Sequence, residues 1–258
     1  MLYAKIVVGL AVSGPFDYIV PAGLTAKIKA GARVWVNFGT RRIIGYVVGL
    51  TRKSEIKNLK LILELIDEYP ILDKKLLLLT KELSVYYCCS WGEAIETAIP
   101  DGLRKGRIVK NGDVSTFPEP SARKVETSPF LIHDLDGQAR WDMYIAEIKD
   151  ALENKLSAII LLPDIPDALR ARDMLNKQLG IAAQLLYRKQ PKELEVWLNI
   201  KNSTDAKVIV GTRSAVFAPL TNLGLMIIDD EESSVYKQDQ APHYHAREAA
   251  FMRAKLNR

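Results

Sequence analysis

The pattern of apolar and polar positions changes character twice along the chain. Between Phe16 and Leu50, three short apolar runs are separated by turn residues. They are Phe16-Asp17-Tyr18-Ile19-Val20, closed by Pro21 and Gly23; Val34-Trp35-Val36, ending at Asn37-Phe38-Gly39; and Ile43-Ile44-Gly45-Tyr46-Val47-Val48. With a first strand over 2–8, strands this short and this closely spaced predict a small curled β-sheet or barrel. Gly39 suits a turn that needs positive φ, and Gly45 suits a bulge or a close backbone approach. The run 59–65 fits strand or helix equally. From Ile71 to Cys88 the period lengthens: Leu72, Leu76, Leu79, Leu83 and Tyr87 recur at spacings of three and four, which predicts one buried helix face. Trp91 begins a second short helix that Pro100 stops.

Residues 106–128 lose all apolar periodicity and gather Pro, Gly and Ser. This marks a linker between a first domain, 1–105, and a second, 129–258. Beyond it, strands expected at 130–132, 158–162, 182–186, 208–210 and 225–228 alternate with helices expected at 141–152, 168–179 and 246–256. Such alternation predicts a parallel sheet. The fold class is therefore α/β overall: a small β-rich, barrel-like N-terminal domain with helices, then a parallel-sheet α/β domain.

Charge sharpens the picture of the first domain. The chain carries 36 Lys and Arg against 31 Asp and Glu, a formal net charge of +5. Residues 1–60 hold ten of the cations and only two acids, Asp17 and Glu55, whereas 106–258 hold 21 of each sign. The basic surface is local. A basic β-module with one carboxylate between two aromatics fits a phosphate backbone held by cations, with one acceptor aimed at a base or sugar hydroxyl. The same residues also fit a solvated basic face with Asp17 capping a turn, and the composition alone leaves both readings open.

No apolar run reaches the roughly 18 residues needed to span a membrane. The apolar run Ile6 to Val12 has no A-x-A-like site and reads as a strand, not a signal peptide. Cys88 and Cys89 are adjacent, with neither metal spacing nor a disulfide framework, so they are expected in a helix core within a reducing cytoplasm.

The pattern FDY-x-x-P-x-G, then G-x-R-V-x-V-x-F-G, then R-x-x-G-x-V-V resembles the N-terminal 3′-DNA-end-binding domain of the primosomal protein N′ (PriA) family of replication-restart helicases. It stands here as Phe16-Asp17-Tyr18, Pro21, Gly23, Gly31, Arg33-Val34, Val36, Phe38-Gly39, Arg42, Gly45 and Val47-Val48. In that family the domain grips the 3′-terminal nucleotide of the leading strand at a stalled fork. The resemblance implies a pocket lined by Phe16, Asp17, Tyr18, Gly39 and Lys60, with Arg33, Arg41 and Arg42 as cations for the DNA backbone. Family members also place a winged-helix domain of many tens of residues where 106–128 stands, and this stretch is too short to fold one.

The second domain resembles the family's first ATPase lobe. Ala158 to Ile165 is similar to its motif Ia, and Val210-Gly211-Thr212-Arg213-Ser214-Ala215 to its motif Ib. Asp229-Asp230-Glu231-Glu232 sits where the family has a DEEH box. Thr212 and Arg213 are expected on the DNA backbone. Tyr236, Lys237, Tyr244, His245 and Arg247 flank the loop expected to sense single strands, by stacking on bases.

Two departures stand out. A phosphate-binding loop needs G-x-x-x-x-G-K-[ST], whose backbone N–H groups and Lys cradle phosphates. The chain has His133-Asp134-Leu135-Asp136-Gly137-Gln138-Ala139-Arg140 there, with one Gly, no Lys and two acids; Arg140 is its single strong cation. In the acidic box Asp229 keeps its place, but Asp230 and Glu232 replace the family's Glu and His. Asp229, Asp230 and Glu231 therefore form a degenerate acidic box, or simply an acidic turn after a buried strand. The second ATPase lobe, arginine finger and paired CxxC zinc sites have no counterpart up to Arg258.

The expectation is a DNA-binding protein of the replication-restart type, reading the 3′ end of a strand at forks or branched DNA without ATPase activity. No cofactor is expected: neither ATP, Mg²⁺ nor zinc. The partners are DNA forks, 3′ ends and single strands, with other replication-restart proteins or single-strand-binding protein as the family's protein partners, and no membrane. Two alternatives stand beside it. One is an ATP-dependent 3′–5′ helicase completed by another chain, and the other is a truncated relic.

Overall fold

The computed structural model describes residues 1–109, 129–133 and 136–257, which fall into two compact units. The first unit has five strands: β1 (Tyr3–Val8), β2 (Phe16–Ile19), β3 (Arg33–Phe38), β4 (Arg41–Thr51) and β5 (Ile62–Leu65). Their order is β2-β1-β4-β3-β5, antiparallel throughout. The sheet curls until its two edges meet. Ile19 bridges Leu61 in the parallel sense, and the Ile19 amide donates to the Lys60 carbonyl at 2.9 Å. The ambiguous run 59–65 is thus the end of a loop followed by a strand.

Alternate positions point inward, as the period of two requires. Ala4, Ile6 and Val8 meet Val34, Val36, Val47 and Ile62 in one buried cluster. Gly39, with φ 60°, turns the hairpin between β3 and β4, where Phe38 pairs with Arg41. A Cβ on Gly45 would lie 2.5 Å from Ile6 Cγ2, so the strand glycine marks a close approach of β4 to β1.

Three helices follow: α1 (Lys74–Tyr86), α2 (Trp91–Ala98) and the single turn α3 (Asp101–Arg104). Helix α1 buries Leu76, Leu79 and Leu83, the face its spacing predicts, and begins at Asp73, which accepts from the Leu76 amide at 2.7 Å. Helix α2 starts with a capping box between Ser90 and Glu93. The cysteines depart from expectation. Helix α1 ends before them, the chain reverses at Cys88 with φ 50°, and Cys88 is exposed while Cys89 is half-buried. Only three residues separate α1 from the Ser90 cap, so the reversal falls on this pair and keeps it out of the core.

Arg33 ties the unit together. It is 0% exposed. Its guanidinium donates twice to Asp67, with both contacts at 2.7 Å, and also to the carbonyls of Leu103 and Arg107, the latter at 2.8 Å. Asp67 accepts in addition from the Val109 amide at 3.3 Å. Residues 106–109, which read as linker in the sequence, are therefore bound to the first unit. The rest of that predicted linker, 110–128, lies outside the described residues, as does the question of a winged helix there.

The second unit opens with α4 (Gly137–Glu153), then β6 (Ser157–Leu161), α5 (Ile165–Leu179), β7 (Gln184–Leu186), α6 (Glu193–Lys201), β8 (Val208–Gly211), β9 (Leu223–Ile228) and α7 (Ala246–Leu256). The sheet is parallel, in the order β7-β8-β6-β9. Strand β6 is buried at all five positions, as a parallel strand covered on both faces should be. Tyr144 and Ile148 of α4 and Ala168, Ala171 and Leu175 of α5 pack on Ala158, Ile160 and Val210. Helix α6 was not expected, although Leu194, Trp197 and Ile200 recur at helical spacing and are buried. The strand expected at 130–132 is not formed. Phe130 and Leu131 are 85% and 78% exposed and lie outside the sheet, because three apolar residues between Pro129 and a polar stretch offer too short a ladder.

Removing one partner of a buried ion pair leaves an uncompensated charge and costs roughly 3–5 kcal/mol. Arg33→Met should destabilise the first unit by about that much, as read from its amide signals during urea unfolding of the full chain. The double change Arg33→Met with Asp67→Leu should recover most of the loss.

Candidate nucleic-acid interface

The register of β1 against β2 sets Lys5 opposite Asp17 and Ile6 opposite Phe16. Side chains alternate across a strand, so the pocket residues fall into two groups. Phe16 and Tyr18 join the inner cluster. Phe16 packs edge-on against Phe38, with ring centroids 5.1 Å apart, and the Tyr18 hydroxyl donates to the Asn37 carbonyl at 3.1 Å. The Lys60 ammonium donates to the Gly39 carbonyl at 2.7 Å. Together these contacts gather Phe16, Tyr18, Gly39 and Lys60 around the β3–β4 hairpin tip, where Gly39 is open to space.

Asp17 belongs to the other face of β2. Its Oδ1 pairs with the Lys5 ammonium at 2.7 Å, and its Oδ2 accepts from the Ser54 hydroxyl at 2.6 Å. Burial pushes this carboxyl's pKa up, but the Lys5 and Ser54 hydrogen bonds and the Lys5 charge outweigh it and hold the group below its ordinary value. The loop between β4 and β5 serves both groups. Ser54 meets Asp17 near one end, and Lys60 meets Gly39 and Ile19 at the other. Neither Lys5 nor Ser54 was singled out from the sequence. Lys5 is identified only by the strand register and Ser54 only by the path of the loop. Phe38 stood in the motif, but its ring contact did not.

The expected backbone cations divide. Arg41 and Arg42 are exposed on β4 beside the hairpin tip. Arg42 pairs with Glu64 at 2.9 Å and lies 4.8 Å from the Trp35 ring centroid. Arg33 is corrected: its guanidinium is buried and committed to Asp67 and two carbonyls, so it cannot reach a phosphate.

In the second unit Thr212 and Arg213 follow β8. Arg213 donates to the carbonyls of Val235 and Lys237, at 2.9 and 2.8 Å, which ties the loop after β8 to the loop after β9. The two tyrosines expected to stack on bases are corrected. Tyr236 is wholly buried, its hydroxyl 2.7 Å from the Asp229 carbonyl and 3.0 Å from that of Leu161. Tyr244 is buried edge-on against Phe217. Both rings serve packing, because the loop that carries them folds back over the strand ends. His245 caps α7, its Nδ1 accepting from the Arg247 amide at 3.2 Å, and burial together with the Arg247 charge lowers its pKa. Arg247 pairs with Glu231 at 2.6 Å and Glu248 at 3.2 Å. Lys237 is exposed.

The acidic box is pulled apart. Asp229, at the end of β9, is 3.0 Å from the Arg140 Nε of α4 and accepts from the Tyr144 hydroxyl at 3.0 Å. Burial and then the Asp229 charge raise the Tyr144 pKa, which keeps it a donor. Glu231 turns toward α7 and Asp230 is exposed with φ 51°. Asp136 caps α4, accepting from the amides of Gln138 and Ala139. Among the described residues, no group of three or more His, Cys, Asp or Glu is placed to hold a metal ion, and no helix is long and apolar enough to cross a membrane.

Comparison with known proteins sets this geometry in a family. Residues 5–100 match the family model of the PriA 3′DNA-binding domain (3′BD). The first unit is a 3′DNA-binding domain of the PriA type. The similarity to PriA runs on through the second unit. The replication restart protein PriA of Treponema pallidum is 25% identical over 274 residues, covering 97% of this chain and 42% of the relative. That of Rickettsia conorii is 26% identical over 272 residues, covering 100% of the chain and 42% of the relative. That of Bacillus subtilis is 33% identical over 132 residues, half of this chain. The chain spans about two fifths of the length of the relatives that it matches from end to end.

The depressed carboxyl makes a pH prediction. A group whose folded pKa lies below its unfolded value near 3.8 contributes stability above that value and loses it as pH falls through the folded pKa. Asp17→Asn should therefore be less stable than the native chain at neutral pH, with the difference closing below about pH 3.8. Replacing Lys5 by Met should raise the Asp17 pKa, which a carboxyl-carbon NMR titration would read directly.

Proposed function

We propose that the chain recognises the 3′ end of a DNA strand at forks or branched DNA. The observation that carries this reading is the Asp17 carboxylate paired with Lys5 on β2 of the PriA-type domain, whose β3–β4 hairpin tip carries the exposed Arg41 and Arg42 and is met by the exposed Lys60. In this reading Asp17 accepts a hydrogen bond from the terminal 3′-hydroxyl, the exposed cations neutralise backbone phosphates, and the edge of Phe16 borders the terminal nucleotide. Tyr18, with its hydroxyl committed to Asn37, shapes the wall. In the second unit Thr212 and Lys237 offer the backbone contacts. A role at DNA goes with a cytoplasmic location.

The second unit, in the same reading, works without nucleotide. A Mg²⁺–nucleotide needs the strand-end carboxylate free, and here Asp229 is already neutralised by Arg140 and bonded to Tyr144. On this reading the described residues, Asp229 with Arg140 and Tyr144, do not suit the cofactor that the fold family implies. The unit then serves as a scaffold for DNA or for other replication-restart proteins.

The test is fluorescence anisotropy on a fork whose leading strand ends in a 3′-hydroxyl, against the same fork ending in a 3′-phosphate, at fixed salt. The hydroxyl end should bind more tightly, and Asp17→Ala should cost roughly 1–3 kcal/mol on that end alone, the range of a direct readout contact. Equal affinity for both ends would leave only a basic surface. Labelled ATP with Mg²⁺ should show no saturable binding; saturable binding would return the second unit to the nucleotide-dependent class.

A further inference from the structure

Asp17 is close to sealed in this structure. Its side chain is 3% exposed, with Lys5 on one oxygen and Ser54 on the other. With so little of it exposed, a hydroxyl reaches this carboxylate only where one of them moves aside. Lys5 is a poor candidate to leave. Its backbone is fixed by the ladder directly opposite Asp17, and its ammonium brings a full positive charge to Oδ1 at 2.7 Å. Ser54 differs on both counts. Its group is a neutral hydroxyl, and it stands in a loop whose neighbours Arg52, Lys53, Glu55, Ile56 and Lys57 are exposed. Besides its bond to Asp17, the Ser54 oxygen accepts from the Ile56 amide at 3.3 Å.

We propose that the Ser54 hydroxyl is an internal surrogate for the hydroxyl of a DNA 3′ end, and that binding exchanges one hydroxyl for the other at Asp17 Oδ2. The inference rests on the proposed reading of Asp17 and adds the residue that competes for it. The exchange replaces a neutral hydroxyl donor with its chemical equal, so the carboxylate is never left without a donor. A dideoxy end has no donor to offer. A 3′-phosphate brings negative charge against a carboxylate, which is repulsive. The carboxylate then supplies the preference for a free 3′-hydroxyl, and competition with Ser54 holds that preference down. The exchange also frees Ser54 from β2, so an occupied site carries a looser 52–58 segment than an empty one.

The experiment compares Ser54→Ala and Ser54→Thr in the full chain, using one oligonucleotide ending in a 3′-hydroxyl or as the 2′,3′-dideoxy form. Removing the competitor should tighten binding of the hydroxyl end about three- to tenfold, the worth of one exchanged hydrogen bond. Binding of the dideoxy end should change less than about twofold, and Ser54→Thr, which keeps the hydroxyl, should behave as the native chain. Equal weakening on both ends would mean that Ser54 only positions the loop, and no change would mean that it does not compete; either overturns the inference. If the native chain prefers the hydroxyl end and Ser54→Ala does not sharpen that preference, the inference falls and the 3′-end reading stands. If neither form distinguishes the ends, both fall. In the native chain, which needs no variant to fold, the Ile56 amide resonance should shift on adding the hydroxyl oligonucleotide and stay in place with the dideoxy one. Identical shifts with both would also overturn the exchange.

Discussion

The first unit depends on one buried guanidinium. Arg33 leaves β3 inward and is met by a carboxylate just past β5, by a carbonyl of the α3 turn and by another in the segment that follows. An isolated charge in such a place would be prohibitively costly, and the bidentate Asp67 contact with two further carbonyls is what makes it tolerable. The consequence is positional. Strand β3 carries the hairpin whose tip holds Gly39, so the element that presents the interface is anchored at its far end to the helical part of the unit. Arginine suits this place because its fork satisfies several acceptors in one plane, which an ammonium cannot do.

The candidate interface draws on opposite sides of a single edge strand. Phe16 and Tyr18 face the interior and Asp17 faces outward, so one short strand contributes both an aromatic wall and an acceptor. The β4–β5 loop binds the two faces together, at Ser54 on one side and Lys60 on the other. The second unit shows a related economy. Its strand-end acid, the position where a parallel sheet commonly meets its ligand, is answered from within by Arg140 and Tyr144.

Much of this was legible in the sequence, and the remainder was hidden for definite reasons. Periodicity of two and of three to four located the barrel, α1 and the parallel strands, because burial imposes those periods directly. The turn at Gly39 and the close approach at Gly45 were readable because glycine alone fits them. The partners of Asp17 were not, since strand register and loop path are decided by long-range packing. For the same reason Arg33, Tyr236 and Tyr244 carried the chemistry of DNA contacts on paper and proved to be interior: residue type states what a side chain can do, and burial decides whether it can reach. Phe130-Leu131-Ile132 had the composition of a strand but no ladder to join.

The closing seam of the barrel has a further consequence. Strands β2 and β5 would each be an open edge in a flat sheet, a template for pairing with another chain. Here the edges cover one another, and among the described residues their backbone link is the Ile19–Leu61 bridge with the bond from Ile19 to Lys60. A seam held by few backbone bonds is the kind of place where local opening costs least. The residues of the candidate interface sit along that same seam. In the proposed reading, the energy needed to admit a strand end there is drawn from the local stability of the closure, while the anchored core of the barrel is left undisturbed.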